Sequence, residues 1–341
     1  WLEDQGGIAG HPMVAVQASL LSAAVGRPAE ADRWADVADR WPGDALGPGN
    51  AFVHAWTAVL RAILCRHGPE RMRADAEEAV DRFGADGVMT PSPVFYLGIA
   101  RVLGGDLDGG DDSFEIAVRV GEQTEAHEIR AGALCERSLV AMARHQWGQA
   151  EDLAYQAHDA LHRFGFDSSY VTPLVCAVQA RAALRRGDVP AAHQELIHAQ
   201  RVRPLLTYAL PHVAVQARIE LSRVHVALAD LAAARMLVRE IDEVLKRRPD
   251  LGTLVGEARA LRIRLAAERA HGAPGASTLT AAELRVLPML ATHLSFPEIG
   301  AEMFLSPNTV KSQAMSIYRK LGASSRSQAV LRARELALLE G

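Results

Sequence analysis

Residues Leu294–Gly322 read LSFPEIGAEMFLSPNTVKSQAMSIYRKLG, two short helical patterns joined by a tight apolar turn. The second pattern opens at Ser306-Pro307, an N-cap followed by proline at the first helical position, where its missing N–H costs nothing. Within it Val310, Ala314, Ile317 and Leu321 fall at i, i+4, i+7 and i+11. That is one apolar stripe, expected to pack on Leu287, Leu290, Ile299 and Met303. Outward from this stretch, Thr280-Ala281-Ala282-Glu283 and Ser295-Phe296-Pro297-Glu298 read as capping boxes. Gly322 reads as a helix stop, and Ser325-Arg326-Ser327-Gln328 as the box that opens a further helix. Each cap is typically worth ~1 kcal/mol, so the starts of these helices are set locally.

The face opposite the stripe shows Thr309, Lys311, Ser312, Gln313, Met315, Ser316, Arg319 and Lys320. No acidic residue occurs from Met303 to Arg334, whereas Lys311, Arg319, Lys320, Arg326, Arg332 and Arg334 are basic. A solvated helix face mixes signs, and one-sided charge is an electrostatic footprint for phosphate. A helix of this kind suits the major groove of DNA.

The run LTAAELRVLPMLATHLSFPEIGAEMFLSPNTVKSQAMSIYRKLGASSRSQAVLRARELALL resembles a LuxR-type helix-turn-helix domain, a four-helix DNA-binding module of bacterial transcription regulators. The resemblance rests on LT..E..VL, LS..EI, LS..TVK and IYRKLG.SSR..AV, and covers the final fifth of the chain. It implies that the TVK-bearing helix enters the major groove and that the fourth helix pairs two protomers on a two-fold operator. By position, Lys311, Ser312 and Met315 would point at base edges, and Thr309, Gln313, Arg319 and Lys320 would be phosphate or groove-edge contacts. Ser306, Asn308, Ser316 and Arg326 complete the implied DNA-binding set. Gln313 stands where the family commonly has His, and Met315 where it has a basic or polar residue. Gln can pair with an adenine edge and Met can meet a thymine methyl, so the operator sequence stays open. One module buries too little surface for tight specific binding, so a homodimer on double-stranded DNA is expected, with Leu331, Arg334 and Leu338 as its seam opposite core-facing Val330, Ala333 and Leu336.

The rest of the chain is alanine- and leucine-rich with little β-branched alternation, so the whole is expected to be all-α. Small-residue turns recur at Gly26-Arg27-Pro28, Gly68-Pro69, Gly105-Asp106, Trp147-Gly148, Gly187-Asp188 and Ala229-Asp230. Their spacing of roughly 40 residues is that of helical-hairpin solenoids. The pairs are expected at about 11–41, 49–84, 92–123, 126–165, 168–203 and 210–248, with a last helix at 252–270. The pattern resembles tetratricopeptide repeats with longer units. A stacked array curves, and its concave face would form an extended binding surface. Trp56, Phe95-Tyr96 and Tyr208, placed on first helices, and the loop Phe164–Tyr170 are its ligand-contact candidates. Residues 1–270 are thus expected to be a sensor or interaction domain, 271–278 (within ERAHGAPGAST) a linker, and 279–341 the DNA-binding domain.

From Ser277 on, seven basic residues face five acids, although the chain as a whole carries −4. An acidic body with a basic tail suits a protein that touches DNA only at its C-terminal end. No G-x-x-x-x-G-K-[ST] string occurs, and only Lys246, Lys311 and Lys320 are lysines, so neither a P-loop nor a phospho-acceptor receiver module is expected here, and no cofactor. Cys65, Cys135 and Cys176 are isolated, which fits a reducing, cytoplasmic setting and buried packing roles. His158-x-x-x-His162 has the spacing of two metal ligands but no third, so no metal is expected, and no nucleophile–base pair suggests an enzyme. No apolar run is long enough for a membrane span. Helical repeats before a LuxR-type domain resemble the C-terminal part of MalT-like regulators, large ATP-dependent activators. That resemblance implies a small-molecule inducer on the solenoid and, since residue 1 is Trp, a piece of a longer protein. The alternative is a stand-alone regulator whose solenoid docks a protein or peptide.

Overall fold

The structure, a computed structural model, describes residues 11–40, 50–85, 89–271, 279–303, 305–336 and 338–339. Every regular element among them is helical, in the order α1 Pro12–Ala24, α2 Pro28–Asp39, α3 Asn50–Leu64, α4 Gly68–Ala85, α5 Ser92–Leu103 and α6 Leu107–Gln123. There follow α7 His127–Ala143, α8 Trp147–Arg163, α9 Thr172–Arg185, α10 Val189–Val202, α11 Pro211–Ala227, α12 Leu231–Arg247 and α13 Thr253–His271. The C-terminal helices are α14 Ala281–Leu290, α15 Phe296–Met303, α16 Pro307–Leu321 and α17 Arg326–Glu335. The chain is an all-α solenoid of hairpins followed by a four-helix module. It divides into two units, residues 1–261 and 262–341. The division falls inside α13, and residues 272–278 of the expected linker lie outside the described residues. No helix of the described residues is long and apolar enough to cross a membrane.

In the first unit the six expected hairpins are present as α1–α2 through α11–α12, and the first helices touch in succession. The hairpin turn repeats one device. Asp106, Asp188 and Asp230 accept from the backbone N–H groups of Gly109, Ala191 and Ala233 at 2.9, 3.0 and 3.1 Å, so each second helix starts on a side-chain cap. The residue before each cap is left-handed, at Gly105 (φ 93), Gly187 (φ 81) and Ala229 (φ 59). In the α7–α8 turn His145 (φ 60) takes this role, so Trp147-Gly148, expected as the turn, instead begins α8. One turn further on, Ala31, Ala150, Ala192 and Ala234 are fully buried. Without a bulky side chain there, the second helix lies close enough for the Ser19 and Ser138 hydroxyls to donate to the carbonyls of Ala31 and Ala150, each at 2.7 Å.

The solenoid closes on itself. Arg248, buried just after α12, donates to the carbonyl of Leu64 at 3.2 Å and to Asp32 Oδ1 at 2.8 Å, residues earlier by 184 and 216 positions. Thr253 Oγ1 donates to the Val102 carbonyl at 3.2 Å. On the inner wall Tyr96 packs edge-on against His212 (centroids 5.8 Å apart), and Gln216 Nε2 donates to Glu136 at 2.9 Å. The extended concave surface expected from the repeat is therefore largely filled, because Val213, Ala214 and Ala217 of α11 are buried in one core with Phe95, Tyr96 and Leu134.

Most of the aromatic candidates go into packing, although Phe164 is exposed by 44%. Phe95 and Tyr96 are core residues, and Trp56 forms an edge-to-face trio with Phe52 and Phe83. Tyr208 precedes α11 rather than lying on a first helix, and Arg247 and Arg248 sit over its ring. Phe164 stacks on His127 with centroids 3.5 Å apart.

Candidate nucleic-acid interface

The second unit is built on Val286, Leu287, Leu290, Ile299, Val310, Ala314, Ile317, Tyr318 and Leu321, with Ala329 and Ala333 of α17 beneath. The α16 stripe read from the sequence is the stripe that is buried. Tyr318 joins it, a residue the stripe omitted. Leu336 does not: α17 ends at Glu335, and Leu336 is half exposed instead of core.

The caps hold the helices as follows. Thr280 and Glu283 form a complete capping box at α14. Ser306 Oγ accepts from Thr309 N–H at 3.1 Å, and Gly322 closes α16 in the left-handed conformation. Ser295 differs: its N–H and hydroxyl both donate to Glu298 Oε2, at 2.7 and 2.6 Å. At the α17 start Gln328 accepts from Ser324 rather than from the cap residue's N–H, so that box is only half made. The turn between α15 and α16 needs Gly300. Leu305 N–H donates to its carbonyl at 2.8 Å, and a Cβ at Gly300 would stand 2.7 Å from the Leu305 carbonyl oxygen. A side chain would push α16 off α15.

What α16 leaves outside is one continuous stripe. Asn308, Lys311, Ser312, Met315 and Arg319, at i, i+3, i+4, i+7 and i+11, are all exposed, Met315 by 56%. Thr309 and Ser306 flank its N-terminal end, their hydroxyls 2.7 Å apart. Among the described residues no acid pairs with Lys311, Arg319 or Arg334. The stripe thus combines two uncompensated cations with small polar groups and one apolar side chain, on a helix whose other face is core.

The remaining residues of the expected set are placed differently. Lys320 Nζ lies 2.6 Å from Glu283 Oε2, beneath α14. That pairing, with the Thr280 N–H and the Ser316 hydroxyl, holds the Glu283 carboxyl below the usual glutamate range despite its burial. Ser316 is half-buried against it. Arg326 donates to four carbonyls: Leu290 at 2.8, Leu294 at 2.6, Met289 at 3.1 and Thr292 at 2.9 Å. These are acceptors at the end of α14 and in the loop after it, of which Met289 also takes the Thr292 hydroxyl at 2.7 Å. Gln313 is half-buried with Oε1 inside and without a hydrogen-bond partner. Direct phosphate or base contact was expected of Gln313, Lys320 and Arg326. In this structure Lys320 pairs with Glu283, Arg326 with the carbonyls at the end of α14 and in the loop after it, and Gln313 turns its Oε1 inward. Glu283, noticed only as a cap, is the group that ties α16 to α14. In the seam region Leu331 and Leu338 are exposed by 61% and 40%, and Arg334 is exposed beside them.

The first unit has a polar groove of about 350 Å³ on the inner wall. Glu220, buried, pairs with both Arg181 and Arg223, and Arg223 reaches Glu257 at 2.6 Å. Beside them burial lifts the Glu136 carboxyl from 4.5 to about 8, against the hydrogen bond from Gln216.

Residues 277–333 match the family described as bacterial regulatory proteins, luxR family. The chain is 42% identical over 72 residues to proteins described as "Probable transcriptional regulatory protein NarL" from two strains of Mycobacterium tuberculosis, CDC 1551 / Oshkosh and ATCC 25618 / H37Rv. The match covers 21% of this chain and 33% of each relative, so the chain spans about a third of their length. Among solved structures it is similar to BtubC (BKLC) from P. vanneervenii, at 17% identity over 70% of this chain and 91% of that one, with a TM-score of 0.40, too slight a likeness to argue from. The C-terminal unit is a LuxR-type helix-turn-helix domain carried behind a region of helical hairpin repeats.

Proposed function

We propose that this chain is a cytoplasmic transcription regulator that binds promoter DNA as a homodimer, with α16 in the major groove. The observation that carries this reading is the uncompensated stripe Asn308, Lys311, Ser312, Met315 and Arg319. Lys311, Ser312 and Met315 face base edges; Arg319, Thr309 and the Ser306 end of the helix meet phosphates. Gln313, Ser316, Lys320 and Arg326 belong to the support that presents the stripe. Leu331, Arg334 and Leu338 form the seam between protomers on a two-fold site. With about four phosphates neutralised per protomer, log affinity against log salt falls with a slope of about −7 for the dimer. Fluorescence anisotropy on promoter fragments measures that slope. A shallow slope, or equal affinity for all sequences, sinks the reading.

The repeat unit acts as the sensor of a small polar ligand, and the observation favouring this over a peptide dock is the filled inner wall. A peptide needs a long open face, whereas a groove of about 350 Å³ suits a small molecule. Thermal-shift screening with metabolites should raise the melting temperature of the first unit. Capture of a polypeptide with no metabolite response would favour docking instead.

A further inference from the structure

Outside the groove and the helix-turn-helix unit, one cluster of ligating side chains joins two helices. One donor atom from each of Cys176 on α9 and Glu195 and His198 on α10 lies within 4.8 Å of the other two. The glutamate and histidine are spaced i, i+3, which sets both on one side of α10, facing the buried thiol.

The surroundings orient these groups as ligands. His198 Nε2 lies 2.9 Å from the Asp167 carbonyl oxygen, which can only accept, so Nε2 carries the proton and Nδ1 keeps its lone pair. Such a bond to a backbone carbonyl is the usual support of a metal-binding imidazole. Glu195 Oε1 takes His158 Nε2 at 3.2 Å, Oε2 is buried, and the Cys176 thiol donates to the same carboxylate. The Glu195 side chain is 15% exposed and that of His158 33%, so the cluster is reachable from solvent. A histidine pair on α8 was the sequence's only metal pattern, and it is not the site: the two rings stack with centroids 6.4 Å apart, and His162 Nδ1 meets Asp167 Oδ1 at 3.2 Å.

We propose that Cys176, Glu195 and His198 form a zinc site that clips α9 to α10, with His158 holding the glutamate from α8. A thiolate, an imidazole and a carboxylate are the donor types that zinc accepts together, and three protein ligands leave a fourth position for water. On binding, the Cys176 S–H bond breaks and its proton leaves to solvent. The sulfur, Glu195 Oε2 and His198 Nδ1 each direct a lone pair to the metal, and nothing is oxidised or reduced. Burial and the neighbouring Glu195 keep the thiol protonated without metal. A bound dication reverses that preference.

The test is a cobalt titration of the full chain after chelation and dialysis. The expected result is a thiolate-to-cobalt charge-transfer band in the near ultraviolet, saturating at one equivalent and displaced by zinc. Cys176→Ser removes the band, His198→Gln weakens cobalt binding by at least about tenfold, and His162→Gln leaves it unchanged. Zinc also raises the melting temperature of the unaltered chain but not of the serine variant. No thiolate band at saturating cobalt, or a band that survives Cys176→Ser, overturns the proposal. Should the serine variant fail to fold, the titration of the unaltered chain and of His198→Gln decides.

Discussion

The two units differ in where their cations are engaged. In the repeat region many arginines find acids, among them Arg66 with Asp32 and Asp36, Arg137 with Asp111 and Glu115, Arg144 with Asp108 and Asp111, and Arg223 with Glu220 and Glu257. Apart from Arg223–Glu220, which lies within α11, the pairs bridge separate helices, and their charge is cancelled where it stands. In the C-terminal unit Lys320 and Arg326 are likewise satisfied internally, but Lys311, Arg319 and Arg334 meet no acid among the described residues. A field survives at a surface only where the chain has not neutralised it. The contrast therefore separates charge that builds the molecule from charge left for a partner.

The sharpest way to break the first half of this comparison is Arg248→Ala. It removes a buried guanidinium that closes the solenoid onto Leu64 and Asp32, and should cost the repeat unit about 3 kcal/mol in chemical denaturation. A loss no larger than that of an exposed arginine would mean that the closure is held by apolar packing alone. Glu136→Gln should act in the other direction. Glu136 is protonated in the fold up to about 8 but ionises from about 4.5 once unfolded, so the unfolded chain binds fewer protons and stability falls as pH rises across that window. The glutamine variant lacks this decline, and its melting temperature should exceed that of the unaltered chain increasingly from pH 5 to 8.

In the C-terminal unit Arg326→Ala should cost about 2 kcal/mol, since four carbonyls lose a charged donor, and Arg326→Lys should not restore it because one ammonium lacks the planar fork. Lys311→Ala should leave that unit's melting curve in place and weaken operator binding by about 1–2 kcal/mol in anisotropy titrations. Equal effects of the two substitutions on stability would erase the distinction between support and contact. Smallest is Met315→Ala, expected to change affinity by less than about 1 kcal/mol, and only at operators that place a thymine methyl beneath it.

Much of the fold was legible. Helix starts were visible at Thr280 and Ser306 because a cap acts within four residues of itself, and hairpin turns at Gly105-Asp106, Gly187-Asp188 and Ala229-Asp230 from their small residues. The α16 stripe was visible because 3.6-residue periodicity sorts core from solvent without reference to a partner. The errors have a common origin. Leu336 was assigned to the core by continuing a helix that stops one residue earlier. Tyr208 was placed on a helix that begins three residues later. Lys320 and Arg326 have the composition of a DNA-facing surface, and nothing local says that Glu283 and the carbonyls around the end of α14 engage them, or that Gln313 turns its Oε1 inward. A spacing pattern within one helix cannot show a cluster drawn from α9 and α10.

By itself, then, the sequence determined the elements: which segments are helices, where they begin, and which face of α16 carries charge, since each follows from groups within a few residues of one another. Tertiary structure alone decided which polar groups remain free. Arg248 reaches Leu64 and Asp32 across most of the repeat unit, α11 fills the wall that the repeat pattern would have left open, and Glu283 withdraws Lys320 from the surface. Those outcomes depend on which distant carbonyl or carboxylate arrives first, and no local pattern encodes that.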